Sequence, residues 1–215
     1  MMKKILPALF ILGFTFSAYA VQSGFYMGGQ LGETNTHNKN HEFKLSDGTM
    51  TTTKPSTTGL GAGIFTGYQF NPYAAMEFGF IQYAPSTYKP AGDVSGVCGN
   101  PQIRENALNL LAKGTLPFDN FGLFGKAGMA YLRSSPSGSL SNDAMDGGCN
   151  SSGNHTTSTI RPMLALGVSY DVTQNWVADL SFSRVFGGGN VQSADFVALG
   201  ISYHFVDKMC GQFIC

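Results

Sequence analysis

Eight segments of this chain alternate apolar with small or polar residues, each over roughly ten positions, and a period of two is the mark of a strand with unlike faces. Gly24–Glu33 sets Phe25, Met27 and Leu31 against Tyr26, Gly28, Gln30 and Gly32. Gly59–Phe70 sets Leu60, Ala62, Ile64, Tyr68 and Phe70 against Gly61, Gly63, Gly67 and Gln69. Ala74–Tyr83 sets Met76, Phe78 and Phe80 against Glu77 and Gly79. The pattern continues through Ile103–Leu116, Gly122–Arg133, Ile160–Tyr170, Trp176–Phe186 and Ala194–Phe205. In those five, Glu105, Asn109, Lys113, Lys126, Arg161, Asp179, Ser181, Ser202 and His204 fall on the polar face. Roughly ten residues is what a tilted strand needs to cross a bilayer. One such segment is weak evidence; eight in succession predict an all-β, eight-stranded antiparallel up-and-down transmembrane β-barrel.

The connections point the same way. Asn71–Tyr73, Pro117–Phe121 and Asp171–Asn175 read as short turns rich in Pro, Asn and Asp. Between them lie the long polar stretches Thr34–Thr58, Ala84–Gln102 and Ser134–Thr159, and a shorter one at Gly187–Ser193. Long and short alternate, so all long loops belong at one end. Outer-membrane barrels have this asymmetry, with short periplasmic turns and longer extracellular loops. Both chain ends then fall on the periplasmic side.

Alternation does not say which face looks outward, and a lipocalin-like barrel is apolar inside. The polar face carries Glu77, Lys113, Lys126 and Asp179 but is otherwise mostly Gly, Ser and Asn, which suits a narrow interior. Aromatic residues gather at the short-turn end: Tyr68, Phe70, Tyr73, Phe118, Phe121, Tyr170, Trp176, Tyr203 and Phe205. Amphipathic rings belong at headgroup depth, so these predict an interfacial girdle. Charged residues are only 12% of the chain, about half the usual share, with 28 glycines. The apolar face is therefore assigned to lipid. Eight strands leave an interior just wide enough for side chains, which argues against an open diffusion pore.

Residues 1–20 have the layout of a secretory signal peptide. Lys3 and Lys4 precede an apolar run from Ile5 to Phe16, and Ala18-Tyr19-Ala20 offers a cleavage site. That run is too short for a membrane-spanning helix. The expected organisation is a signal peptide (1–20), the barrel (21–205) and a short periplasmic tail (206–215). Without Lys3 and Lys4 the chain keeps 11 of its 13 basic residues against 13 acidic ones, which gives no electrostatic case for nucleic acid.

Leu60–Phe80 (LGAGIFTGYQFNPYAAMEFGF) closely resembles the second and third strands of the OmpA-type transmembrane barrel. The resemblance continues through Leu110–Phe118, Gly125–Arg133, Leu166–Thr173 and Leu199–Phe205. It implies an outer-membrane barrel folded with the barrel-assembly machinery, which would read Phe205 as the closing aromatic. Glu77, Lys113 and Lys126 match positions of the family's interior charge cluster, whereas Ser181 stands where the family has an acidic residue. OmpA itself has a peptidoglycan-binding domain after its barrel; here Val206–Cys215 follows, so no peptidoglycan tether is expected.

Three sets of residues carry candidate chemistry. Glu77, Lys113, Lys126 and Asp179 predict an interior charge network, read as structural or, alternatively, as the gate of a narrow low-conductance channel. Four cysteines survive cleavage into an oxidising compartment. Cys98 and Cys149, in two loops on the same side, are candidates for one disulfide. Cys210 and Cys215 can close a small ring or bond to another molecule. Ser202 and His204 share a face of the last strand, and some eight-stranded outer-membrane barrels are lipid A deacylases using Ser and His. No acidic residue is evidently placed to orient His204, as a triad requires, so this lipid A-modifying reading ranks last and no enzyme activity is expected. No cofactor is expected. Nor is a metal site, because no cysteine pair has CxxC spacing and the histidines are scattered. The loops, rich in Thr, Ser, Asn and Gly with His37, His41 and His155, are expected to be available for adhesion or contact with a host.

Overall fold

In hydrocarbon a strand cannot leave its N–H and C=O groups unpaired, and the strand order shows how this chain meets that demand. The structure, a computed structural model, describes residues 23–38, 40–44, 50–89, 102–137, 156–188 and 192–205. The expected signal peptide (1–20) and short tail (206–215) lie outside the described residues. Eight long strands form the wall: β1 (Gly24–Thr36), β4 (Thr58–Asn71), β5 (Ala74–Gln82), β7 (Gln102–Phe118), β8 (Phe121–Ser137), β9 (Thr157–Asp171), β10 (Trp176–Val185) and β11 (Ala194–His204). Three short strands lie in the long connections: β2 (His41–Lys44) pairs with β3 (Met50–Thr53), and β6 (Ser86–Thr87) pairs with β7. Each wall strand pairs antiparallel with its neighbour, and β1 pairs with β11 from Tyr26↔His204 to Thr36↔Ala194. The sheet is thus a closed eight-stranded antiparallel barrel with no free edge.

Large apolar side chains cover the outside. Phe25, Leu31, Leu60, Ile64, Leu166 and Leu199 are each more than 60% exposed, and in water such a surface would drive aggregation. The inward face holds Tyr26, Glu77, Asn109, Ser183 and Ser202. The outward assignment of the apolar face is therefore the observed one.

Two expectations need correction. The stretch Pro117–Phe121 is not all turn: Phe118 pairs with Phe121 and only Asp119 and Asn120 remain between strands. Asp119 takes φ 57°, a left-handed conformation that Asp tolerates better than most residues and that suits a tight hairpin. The inward face is also not merely Gly, Ser and Asn. Ile81, Leu111, Leu132, Met163, Val185 and Phe196 form a buried apolar layer towards the long-loop end. The period-of-two reading hid them because apolar residues occupy both faces of those stretches, leaving no contrast to detect.

Five of the wall strands, β1, β4, β7, β8 and β9, also run further than expected, and β7 and β8 each reach 17 residues. Their outward faces are apolar up to one row in register, Phe80–Leu108–Tyr131–Ile160, and polar from the next row, Gln82–Asn106–Arg133–Ser158. The wall thus continues past its lipid-facing band. Polar residues assigned to loops form hydrogen-bonded strand there because their neighbours extend the ladder.

At the seam, Gly32 lies opposite Ala198 of β11 and Gly61 of β4. A Cβ on Gly32 would overlap the Val197 carbonyl oxygen, which is backbone and cannot rotate away. Gly32→Val is expected to destabilise the closed barrel by about 2 kcal/mol or more. The readout is the temperature at which the compact, detergent-resistant band converts to the unfolded band on a gel. An unchanged conversion temperature would show that the seam has slack.

Candidate functional site

The glycine-rich faces of the strands leave room inside the barrel for a few large side chains. Tyr26 lies opposite Gly67, Phe65 opposite Gly28, and Phe124 opposite Gly167. A Cβ on Gly28 would come within 2.5 Å of the Phe65 ring, and one on Gly67 within 2.6 Å of the Tyr26 hydroxyl. On Gly167 it would overlap the Phe124 ring. Each inward ring thus lies over a neighbouring glycine, an arrangement that covers the bare backbone and fixes the ring.

These rings surround a buried ion cluster. The Glu77 carboxylate, 3% exposed, accepts a hydrogen bond from Lys126 Nζ at 2.5 Å and faces Lys113 Nζ at 3.5 Å. The Tyr26 hydroxyl donates to its other side, to Oε1, at 2.8 Å. Lys113 Nζ lies 4.8 Å from the Phe124 ring centre and 5.5 Å from that of Tyr26. Lys126 Nζ lies 5.1 Å from the ring centres of both Phe65 and Phe124. One carboxylate, two ammonium groups and three aromatic faces thus form one unit, and the ring quadrupoles offset part of the cost of taking the cations out of water.

Asp179 points into the same interior and lies within electrostatic reach of both lysines, but no ion pair joins it to them among the described residues. It lies instead against Gly200, where an added Cβ would meet Asp179 Oδ2 at 2.5 Å. Ser181 is buried beside the cluster. With Gln30, Glu77, Asn109, Lys126 and Ser183 it lines a cavity with about 20 Å³ open to water, room for a water molecule or so.

Nearer the long loops, beyond the apolar layer, lies a second polar group. Arg184 holds Asp195 through two bonds of 2.6 Å, and His37 Nε2 reaches the same carboxylate at 2.9 Å. Thr36 and Ser86 share a hydroxyl bond of 2.6 Å, and Asn38 donates to Ser86 at 2.9 Å.

Ser202 and His204 do come together, with Oγ 3.5 Å from Nε2. Ser202 is buried on the inward face, and the His204 ring stacks flat on Tyr26 at 4.7 Å and 8°. The pair therefore belongs to the packing around the ion cluster and faces away from lipid.

The aromatic residues of the short-turn end meet in edge-on sets. Tyr68 lies 4.9 Å from Phe25 and 5.3 Å from Phe70, while Tyr203 lies 5.1 Å from Trp176 and 5.0 Å from Phe205. Tyr170 packs on Phe121 at 4.8 Å, and Tyr73 is exposed beside the first short turn. Cys98, Cys149, Cys210 and Cys215 lie outside the described residues, as does His155.

Sequence reasoning named the charges and missed the cage. Phe65 and Phe124 were not singled out because apolar residues were assigned outward. The signal for them is parity: Phe65 shares its face with Gly63 and Gly67, and Phe124 shares its face with Gly122 and Lys126.

A family model described as the OmpA-like transmembrane domain matches residues 20–209. An uncharacterized protein of Coxiella burnetii is 30% identical over 213 residues, covering 85% of this chain and 86% of that protein. Outer membrane protein A of Yersinia pseudotuberculosis is 29% identical over 153 residues, covering 68% of this chain but only 40% of the relative. Among solved structures, Neisserial surface protein A shares the fold with a TM-score of 0.55 at 15% identity, covering 86% of this chain and 99% of that one.

The ion cluster supplies its own test. Glu77→Ala leaves two buried ammonium groups without their carboxylate and is expected to cost about 3–5 kcal/mol in urea unfolding from lipid vesicles. Tyr26→Phe removes one hydrogen bond to a charged group, for about 1.5–3 kcal/mol. The double variant should fall close to Glu77→Ala alone, because the hydroxyl then has nothing to bind. Full additivity would mean the two groups act separately.

Proposed function

Since this chain belongs to the OmpA-like transmembrane domain family, whose named relatives are outer membrane proteins, we propose that it supports the outer membrane structurally and presents its long loops for adhesion or host contact. The observation that carries this reading is the filled interior. The caged ion cluster and the apolar layer above it fill the cross-section, and the cavity beside the cluster has room for only about 20 Å³, too little to pass a solute. Chemistry available to partners is then confined to the two ends and the outer wall.

The short-turn end suits anchoring. Its outward rings, Tyr68, Phe70, Tyr73, Tyr170, Trp176, Tyr203 and Phe205, serve as the interfacial girdle in this reading. Phe205, exposed at the end of β11 and held by its N–H on the Phe25 carbonyl at 2.8 Å, serves as the mark read during barrel assembly. At the other end the wall rises past the lipid-facing band and carries the β2–β3 hairpin, so the loops stand off the membrane on a rigid base.

Replacing residues 41–53 by a short Gly-Ser linker is expected to leave the heat-dependent gel shift intact and to lower adhesion of the expressing cells to host tissue. Unaltered adhesion in this variant and in matching ones for the other long loops would remove the adhesive role. In planar bilayers the purified protein should show no conductance steps. Steps that change with Lys113→Ala would replace the structural reading by that of a narrow channel.

A further inference from the structure

Above the lipid-facing band, Arg184 and Asp195 neutralise one another on the outward faces of β10 and β11 and Glu33 is exposed on β1, but two adjacent strands carry arginines without a carboxylate beside them. Arg133 of β8 occupies the first polar row, between Asn106 and Ser158. Arg104 of β7 occupies the next row, opposite Ser135. Both side chains are exposed, while their chain neighbours Glu105 and Leu132 are buried inside. The register makes the two arginines diagonal neighbours, with Cβ atoms roughly 7–8 Å apart. Among the described residues neither has an ion-pair partner.

Two lysines extend this face. An isolated bridge pairs Ser56 with Thr87, next to β7. Exposed Lys54 and Lys89 lie two residues beyond that bridge on the two chains, on the side of the sheet away from buried Thr53, Pro55 and Tyr88. Four cations thus occupy neighbouring segments, and the outward faces of β5, β7, β8 and β9 carry no acidic residue. Like charges side by side in a sheet repel, so the arrangement favours an external anion. Its place selects which one. Directly below Arg133 is Tyr131, and below Arg104, past Asn106, is Leu108, 44% and 42% exposed on the apolar band. A ligand reaching both regions has an anionic head and acyl chains.

We infer that Arg104 and Arg133, flanked by Lys54 and Lys89, hold the phosphates of an acylated, phosphorylated glycolipid of the outer leaflet while its chains lie along Leu108, Tyr131 and Ile160. Guanidinium groups bind phosphate oxygens in pairs, and two of them at this spacing can clasp one phosphate or two adjacent ones. The inference rests on the long loops facing outward, as in the reading above.

The test is native mass spectrometry of the purified barrel released from detergent micelles. The probes are lipid A bearing two phosphates, lipid A bearing one, and phosphatidylcholine. The wild-type protein is expected to retain the bisphosphorylated lipid best and phosphatidylcholine least, with retention of lipid A falling as salt rises. Arg104→Gln/Arg133→Gln should lower retention of bisphosphorylated lipid A by about tenfold or more and leave phosphatidylcholine unchanged. Equal retention of the three lipids by the wild-type protein overturns the inference, and so does a double variant that keeps its lipid A. Should the double variant lose its cold gel mobility, the wild-type preference for phosphate decides alone. Failure here leaves the loop and envelope role standing. Failure of the adhesion assay, in turn, does not alter which lipid is retained.

Discussion

Everything in this molecule follows from the need to pair backbone N–H and C=O groups where no water can do so. Eight strands meet that need by closing on themselves, and closure then sets the interior width. A narrow interior cannot hold a large side chain at every inward position. It admits Tyr26, Phe65 and Phe124 only because Gly67, Gly28 and Gly167 face them. The high glycine content, which looks like looseness in the sequence, is what lets the barrel be tightly filled.

That filling explains why ions can lie at the centre of a membrane protein. A lone ammonium group in such surroundings would be prohibitively costly. Here Glu77 serves both lysines, the Tyr26 hydroxyl donates to the carboxylate oxygen that faces Lys113, and aromatic faces line the sides. The cluster links β1, β4, β5, β7 and β8 across the lumen, where hydrogen bonds along the wall join only adjacent strands. It braces the cross-section.

The barrel was legible in the sequence because lipid outside and packed interior inside impose opposite chemistry on alternate residues. The short turn Asn71–Tyr73 was legible for a local reason: Asn71 Oδ1 accepts the Tyr73 N–H at 2.9 Å, an interaction intrinsic to Asn. What stayed hidden depends on partners distant in sequence. Nothing near Ser134 or Ser135 announces strand; they extend β8 because β7 and β9 run alongside. The charges of the cluster could be read, since ionisable residues stand out on a face of glycine and serine. Its aromatic cage could not, because Phe65 and Phe124 look like lipid-facing residues until the register places them over glycines. The distinct place of Asp179, against Gly200 and not in an ion pair, likewise depends on a cross-strand neighbour.

The two-residue connection at Asp119–Asn120 bears on how the barrel is made. It joins strands that pair over 17 positions, whereas the equally short Pro72–Tyr73 connection joins strands that pair over fewer, so this hairpin orders the longest ladder among the described strands at a small entropic cost of loop closure. The seam between β1 and β11 is its opposite, bringing Thr36 to Ala194 and Tyr26 to His204 across nearly the whole sequence. Contacts of such separation form slowly unless intervening structure shortens the path. Loop-closure entropy thus sets the local β7–β8 and β4–β5 hairpins apart from the seam, whose partners lie at opposite ends of the sequence. Until that seam is made, β1 and β11 are the two edges of an open sheet, each with a row of unpaired N–H and C=O groups.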